Sequence, residues 1–456
     1  MHQRNLLIIA IVVPGCLLAF AAQDQTGQGK RFAEVIQQIN KSHFQPVDSE
    51  QLFNAAMDGV FRTLDDRSKF IEAVNLKNSN KKLKKEFAGI GVELDANPAT
   101  GKVSVVAPVF GGPAWRAGVR SGDLIESVNG IDASGLGLSE IVAQFRGEVG
   151  SVVNLRVRKA RASDTDSLVF QDITIRRQNI AIESIRGDRR LPSGAWDWWL
   201  EGAPNIAYLR ISYFGKQTGN QCSEILHDLA DGNKNMEGLV IDLRGNAGGV
   251  LESGVSVCDL FLEDELVVAI TNARTGGHSD RKQIQQEWRA TPGKILEGVP
   301  IAILIDEFTA NVSEVVAACL QDYGRATIVG SRSFGNASIQ TTTALSSGSG
   351  AIRLTTNQYQ RPSGSHLNRL STSQDTDAWG VRPNSGFAFS PTRQQRENWI
   401  SWRLERDLGR ARRANEIVDP GTLLPQYADP VLGRSLTLFH SKEHRQEARG
   451  NIQQLP

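Results

Sequence analysis

The stretch from Phe308 to Gln340, FTANVSEVVAACLQDYGRATIVGSRSFGNASIQ, holds most of what this chain offers for chemistry. Asn311 stands just before a helical pattern, and Asn336 follows a glycine-bearing turn 25 residues later (336 − 311). Carboxamides bind and orient. They have no proton to surrender as nucleophiles and act as bases at no accessible pH. Four serines lie near them, Ser313, Ser331, Ser333 and Ser338, but the only cation in the stretch around Asn336 is Arg332, which does not deprotonate under ordinary conditions. A serine without a base is a weak nucleophile, so this stretch is better equipped to hold than to cut. Glu314 suits the first turn of a helix, Gly248-Gly249 in GNAGG reads as a tight turn, and Gln340 as a polar residue at a strand end. The seven histidines are scattered without metal-ligand spacing, and Cys222, Cys258 and Cys319 are too few and too far apart for a disulfide framework or a zinc site. They read as buried core thiols, and no metal or cofactor is expected.

The elements that must position these residues alternate. From Ile206 to about Pro383, the buried-strand patterns IAYLRI, GLVIDLR, VVAIT, PIAILID, RATIVG and AIRLTT are interleaved with helical patterns over Gln221–Leu229, Leu251–Leu260 and Ser313–Leu320, which predicts an α/β core. From Phe87 to about Arg177 short alternating strands are punctuated by glycine, with one helix, Leu138–Phe145, that puts Ile141, Val142 and Phe145 on one face. An amphipathic helical hairpin broken at Pro46 occupies Phe32 to Leu64, and the charged run Lys77–Glu86 follows it. After Arg393 one charged helix is expected, then a loose terminus.

The first residues, MHQRNLLIIAIVVPGCLLAFAAQDQ, have the order of a secretory signal: Arg4, an apolar run from Leu6 to Ala22, and small residues before Gln23. Export to the periplasm or cell envelope is expected, with an uncleaved anchor or a lipid on Cys16 as alternatives. The predicted organisation is thus a signal peptide over 1–22, helices over 28–83, a β-rich module over 84–177, an α/β core over 178–390 and a tail over 391–456. A net charge of +1 gives no reason to expect nucleic acid, and a membrane contact only through an uncleaved first segment.

FAGIGV at 87–92 together with PAWRAGVRSGDLIESVNG at 113–130 resembles the PDZ domain of secreted proteases. The resemblance implies a loop, Gly89-Ile90-Gly91, whose N–H groups face a peptide carboxylate, a strand edge that pairs with the peptide, and an apolar pocket walled by Val92, Leu138, Val142 and Phe145. It also implies that Arg116 faces the protease body and couples ligand binding to activity; a solvated arginine fits the sequence equally well. TLDDRS at 63–68, YLRIS at 208–212, GLVIDLRGNAGGVL at 238–251, SEVVAACLQDYGRATIVGSRSFG at 313–335, RLTTNQYQRPSG at 353–364 and WGVRPN at 379–384 resemble the carboxyl-terminal processing, or tail-specific, proteases, whose core is crotonase-like. These use a serine nucleophile with a lysine base, and the matching positions here are Asn311 and Asn336. The resemblance further implies that Gln340 orients the base, that Glu314 is its acidic neighbour, and that Gly248, Gly249 and the N–H of Val312 form an oxyanion hole. Ser313 is expected to cap the helix. The expected function is that of an exported family member without its dyad, which binds C-terminal tails or unfolded polypeptides, with the tuning of an active relative as a further expected role. An active endopeptidase with a displaced nucleophile and a structural envelope subunit are the alternatives.

Overall fold

The computed structural model describes residues 27–73, 87–97, 100–159, 169–180, 183–191, 193–232, 235–275, 282–370, 372–407 and 428–440. The segment read as a signal peptide and the charged run before Phe87 lie outside the described residues. The chain divides into two units, residues 1–76 with 340–355, and residues 77–339 with 356–456.

In the first unit, helices α1 (Gly27–Ser42) and α2 (Ser49–Arg62) form the hairpin that the apolar spacing around Pro46 predicts. Asp48 caps α2 by accepting the N–H of Glu50. Strand β1 (Lys69–Glu72) pairs antiparallel with residues 350–353 of a long strand, Gly350–Gln360. Phe53 of α2 meets Phe70 of β1 edge-on at 5.5 Å.

The second unit opens with the β-rich module. Here β2 (Phe87–Gly89), β3 (Val92–Ala96), β4 (Val103–Pro108), the short helix α3 (Pro113–Arg116), β5 (Leu124–Val128), α4 (Leu138–Phe145), β6 (Val152–Arg158), β7 (Phe170–Arg176) and β8 (Gln178–Ile180) follow in order. The main sheet runs β3-β4-β5-β6-β7, which leaves β3 at an edge. Strand β8 returns to pair with β2, so the module closes at Ile180 rather than at Arg177. Inward residues of β6 and β7, at alternate positions, supply Val153, Leu155, Val157, Ile173 and Ile175 to its core.

In the α/β core, β9 (Ala203–Ile211), α5 (Thr218–Gly232), β10 (Gly238–Asp242), α6 (Leu251–Asp259), β11 (Val267–Thr275), β12 (Lys282–Arg289), β13 (Ile301–Ile305), α7 (Val312–Asp322), β14 (Ala326–Gly330), β15 (Ser338–Ala344) and β16 (Gly350–Gln360) are followed by α8 (Arg393–Asp407) and α9 (Pro430–His440). Strands β9, β10, β13 and β14 are parallel neighbours. Their uninterrupted apolar runs are those of strands covered on both faces. Leu209, Ile211, Leu239, Ile241, Ile301 and Ile303 turn to the cluster that includes α5, α6 and α7, while Tyr208, Val240, Ala302 and Leu304 turn to the cluster that includes α9.

VVAIT and AIRLTT are strands, as expected, but do not belong to the parallel sheet: β11 pairs antiparallel with β12 and with residues 357–360 of β16. Their continuations, NART and NQYQ, are polar, which an antiparallel sheet with one open face tolerates and a doubly covered strand does not. Nor is the tail wholly loose, because α9 buries Val431, Leu432, Leu438 and Phe439 under the sheet. Its apolar residues recur seven positions apart in adjacent pairs, a helical spacing that the charged surroundings masked.

Candidate active-site cleft

Two loops leave the carboxyl ends of β10 and β13, where open α/β sheets place their ligands. The first, residues 243–250, is anchored by Arg244, whose guanidinium bonds Asp242 at 2.9 and 2.6 Å and Asp429 at 2.9 and 2.7 Å. Burial alone would raise the Asp242 carboxyl; the guanidinium and the Tyr208 hydroxyl, 2.7 Å away, hold it below the usual carboxylate range. Asn246 is the keystone of this loop. Its amide donates to the Ile211 carbonyl at 2.8 Å, its side-chain oxygen accepts the Gly248 N–H at 2.9 Å, and its own carbonyl accepts the N–H of Ala310 at 2.9 Å. The second loop is tied to the first by Asp306, which accepts the Gly245 N–H at 2.9 Å.

That second loop delivers Asn311 in a strained conformation, φ 57° and ψ −121°, directly before α7. Such a strained loop-to-helix turn persists only because the surroundings over-determine it. Gly248 makes the turn possible: a Cβ there would lie 2.7 Å from the Asn311 Cβ and 2.9 Å from the Val312 nitrogen. Gly249, at φ 152°, presses so closely on Phe214 that a Cβ would stand 2.0 Å from its carbonyl oxygen. Replacement of Gly249 by alanine should therefore cost about 3 kcal/mol of stability, measured by urea unfolding.

The N–H groups of Gly249 and Val312 find no acceptor among the described residues, and the start of α7 adds its positive dipole end. Together they can stabilise an oxyanion or hold a peptide carbonyl. Gly248 does not contribute a donor, because its N–H is spent on Asn246. Its place in the expected oxyanion hole is corrected to that of a spacer.

Glu314 is fully buried and receives four hydrogen bonds. Ser333 Oγ (2.5 Å) and the Gly335 N–H (2.7 Å) reach Oε1, while the N–H groups of Asn311 (3.0 Å) and Asn336 (2.7 Å) reach Oε2. It thus fastens residue 311 to residue 336. Burial raises its carboxyl above the usual value, and the four donors oppose that shift. The two asparagines meet through Ser338: Asn311 Nδ2 donates to the Ser338 carbonyl at 2.8 Å, and Ser338 Oγ donates to Asn336 Oδ1 at 2.9 Å. Asn336 Nδ2 donates to nothing among the described residues. Gln340 lies two residues further along β15, in the segment that belongs to the first unit.

In the β-rich module the edge strand β3 and helix α4 pack together. Val92, Leu138 and Val142 are half-exposed between them, and the N–H groups of Ile90 and Gly91 have no acceptor among the described residues. The expected groove is narrower than predicted. Ile90, 1 % exposed, and Phe145, 5 % exposed, are packed into the core, and Gly89 is engaged in the β2–β8 ladder. Both apolar side chains lie where the sheet and α4 close on each other, which burial favours over a place at the open edge. Arg116 is exposed, and its guanidinium reaches the Gly111 carbonyl and, at 2.6 Å, Gln178 Oε1. The module meets the core through Arg190, stacked 4.6 Å from the Phe110 ring and 4.1 Å from Trp196.

Residues 205–378 match the family model described as peptidase family S41, and residues 104–159 match a PDZ domain. A carboxy-terminal-processing protease of Bartonella bacilliformis is 31 % identical over 355 residues, covering 77 % of this chain and 75 % of the relative. This chain belongs to peptidase family S41. A carboxyl-terminal-processing protease of Synechocystis is 30 % identical over 292 residues, 64 % of this chain and 62 % of the relative. A solved photosystem II D1 C-terminal processing protease aligns with a TM-score of 0.42 and 24 % identity, over 80 % of this chain and 94 % of that one. The S41 match spans both loops of the cleft.

Three serines near Asn311 and Asn336 are buried or engaged elsewhere in this S41 chain. Ser313 is completely buried, and its hydroxyl has no partner among the described residues; the cap position belongs to Asn311, so the expected capping role is corrected. Ser333 is spent on Glu314 and on the Val381 N–H at 2.7 Å, and Ser331 on Glu307 at 3.2 Å. Sequence reasoning missed Asn246 and the ion triad of Asp242, Arg244 and Asp429. A polar residue between glycines in GNAGG was the available signal for Asn246, while Asp429 lies 185 residues from Arg244 and gave none.

Proposed function

We propose that this chain is a non-cleaving member of the S41 family which holds the C-terminal tails of polypeptides, and that it is exported through its first 22 residues. The observation that carries the reading is the pair Asn311 and Asn336, at the positions where the family resemblance puts nucleophile and base. A carboxamide at each place removes the transferable proton and the group that would accept it. The same pair suits binding. Asn336 Nδ2 is an open donor, and with the N–H groups of Gly249 and Val312 it gives an extended backbone three places to hydrogen-bond. A second grip is supported by the β3 edge, with the Ile90 and Gly91 N–H groups at its start and Val92, Leu138 and Val142 beside it. The partners are unfolded or processed envelope proteins, and an active relative competing for the same tails.

The test uses a fluorescent peptide with an apolar, free-acid C-terminus, followed by anisotropy and mass spectrometry. The peptide should bind and remain intact overnight. Amidation of its terminus, or Val142→Asp, should weaken binding about tenfold or more, the worth of hydrogen bonds to a charged group. Equal binding of acid and amide would remove the groove from the account, and a cleaved peptide would remove the non-cleaving reading.

A further inference from the structure

Near Asn336 two arginines, Arg332 and Arg369, lie against one tryptophan, Trp379, and a third, Arg382, shares main-chain acceptors with Arg332. The guanidinium of Arg332 lies 3.3 Å from the centre of the Trp379 ring and that of Arg369 4.6 Å from it. Arg332 donates to the carbonyls of Trp379 (3.0 and 2.7 Å), Asp375 (2.8 Å) and Asp377 (2.6 Å), and Arg382 to those of Asp375 (2.5 Å) and Asp377 (3.0 Å). All these acceptors are main-chain carbonyls. The Asp377 carboxylate takes the Gln374 N–H at 2.7 Å instead, and none of the three arginines forms an ion pair among the described residues. Arg382 and Arg369 repel the Arg332 charge, the Asp375 and Asp377 carboxylates offset that only in part, and a further anion beside Arg369 would relieve the repulsion.

Arg369 is the member positioned to use this. It is exposed, and its guanidinium has no hydrogen-bond partner among the described residues. Its backbone N–H is fastened to the Gly335 carbonyl at 2.9 Å, and a Cβ on Gly335 would sit 2.7 Å from its own Cβ. The arginine therefore stands next to the residue that precedes Asn336, at the base-position end of the cleft. Phe334 and Leu370, adjacent to Gly335 and Arg369 in the chain, are 50 % and 63 % exposed. An apolar surface around an unpaired guanidinium fits a carboxylate on an aliphatic stem, and a guanidinium can take such a carboxylate through two parallel hydrogen bonds.

We propose that Arg369, backed by Arg332 and Arg382, forms a subsite that binds an acidic side chain, Asp or Glu, of the polypeptide tail lying in the cleft. The inference rests on the tail-binding reading, in which the terminal carboxylate itself goes to Ile90 and Gly91. The preferred tail is then apolar at its end and acidic upstream.

The experiment uses the full chain and its Arg369→Gln variant with labelled twelve-residue peptides sharing one apolar end. One carries two interior glutamates, another glutamines at the same places, and each is made as free acid and as amide. The Arg369→Gln change should weaken the glutamate peptide about three- to tenfold, leave the glutamine peptide unchanged, and flatten the salt dependence of the difference. Because Arg369 is exposed, the variant should melt with the wild type, which circular dichroism checks. Equal loss with both peptides, or no loss with either, overturns the subsite while the acid–amide difference survives. If neither peptide binds in any form, the tail-binding reading falls and takes the subsite with it.

Discussion

The Asn311→Ser/Asn336→Lys double variant should cut an unfolded polypeptide with an apolar C-terminus, while the natural chain leaves it intact. The expected gain is at least about a thousandfold over the natural chain, since a nucleophile and its base act as one unit and their joint removal costs several powers of ten. Each single variant should stay near background for the same reason. The scaffold argues for recovery. Asn311 keeps the strained turn before α7, φ 57° and ψ −121°, and the N–H groups of Gly249 and Val312 are open for a developing oxyanion. Glu314 and Ser338 already bring positions 311 and 336 together. The rate of the double variant should climb with pH as the new lysine loses its proton, because only the neutral amine accepts one from serine. Product masses over a pH series measure both effects. Cleavage by the natural chain, unaffected by Ser313→Ala, would mean that another group supplies the nucleophile.

Much of this was legible in the sequence, for identifiable reasons. The parallel strands announce themselves through runs such as IAILI, buried at every position, because a strand covered on both faces has no use for a polar residue. Asn311 and Asn336 stand at a readable spacing because one helix and one strand, both short and regular, separate them. What escaped was non-local. Arg244 looks like a solvated loop residue until Asp429, far along the chain, neutralises it in the interior. Ile90 and Phe145 have the same apolar character whether they line a groove or fill a core, so type and spacing do not separate the two. Nor does any local pattern reveal that Arg332 and Arg369 converge on Trp379, since a folded loop brings them there.

Glu314→Ala should destabilise the folded chain by about 3–5 kcal/mol, the range for removing one partner of a buried, fully hydrogen-bonded charge. Four donors lose their acceptor at once, three of them backbone N–H groups that have nowhere else to turn at this depth. For a core of this size that corresponds to a melting temperature about 10 °C lower or more. The pH dependence carries a sign that tests the cause. Burial raises the folded-state carboxyl above its ordinary 4.5, so the folded chain holds the proton more tightly than the unfolded one. The stability this contributes is present below pH 4.5 and is lost as the pH rises through the higher folded value. Measured against the non-titrating Glu314→Gln variant, the wild type should therefore be most favoured in acid and lose ground toward neutrality, as read by urea unfolding at successive pH values. A difference that grows toward neutrality would mean that the four donors outweigh desolvation. The pocket would then favour the carboxylate, and the link between positions 311 and 336 would be strongest in the charged state.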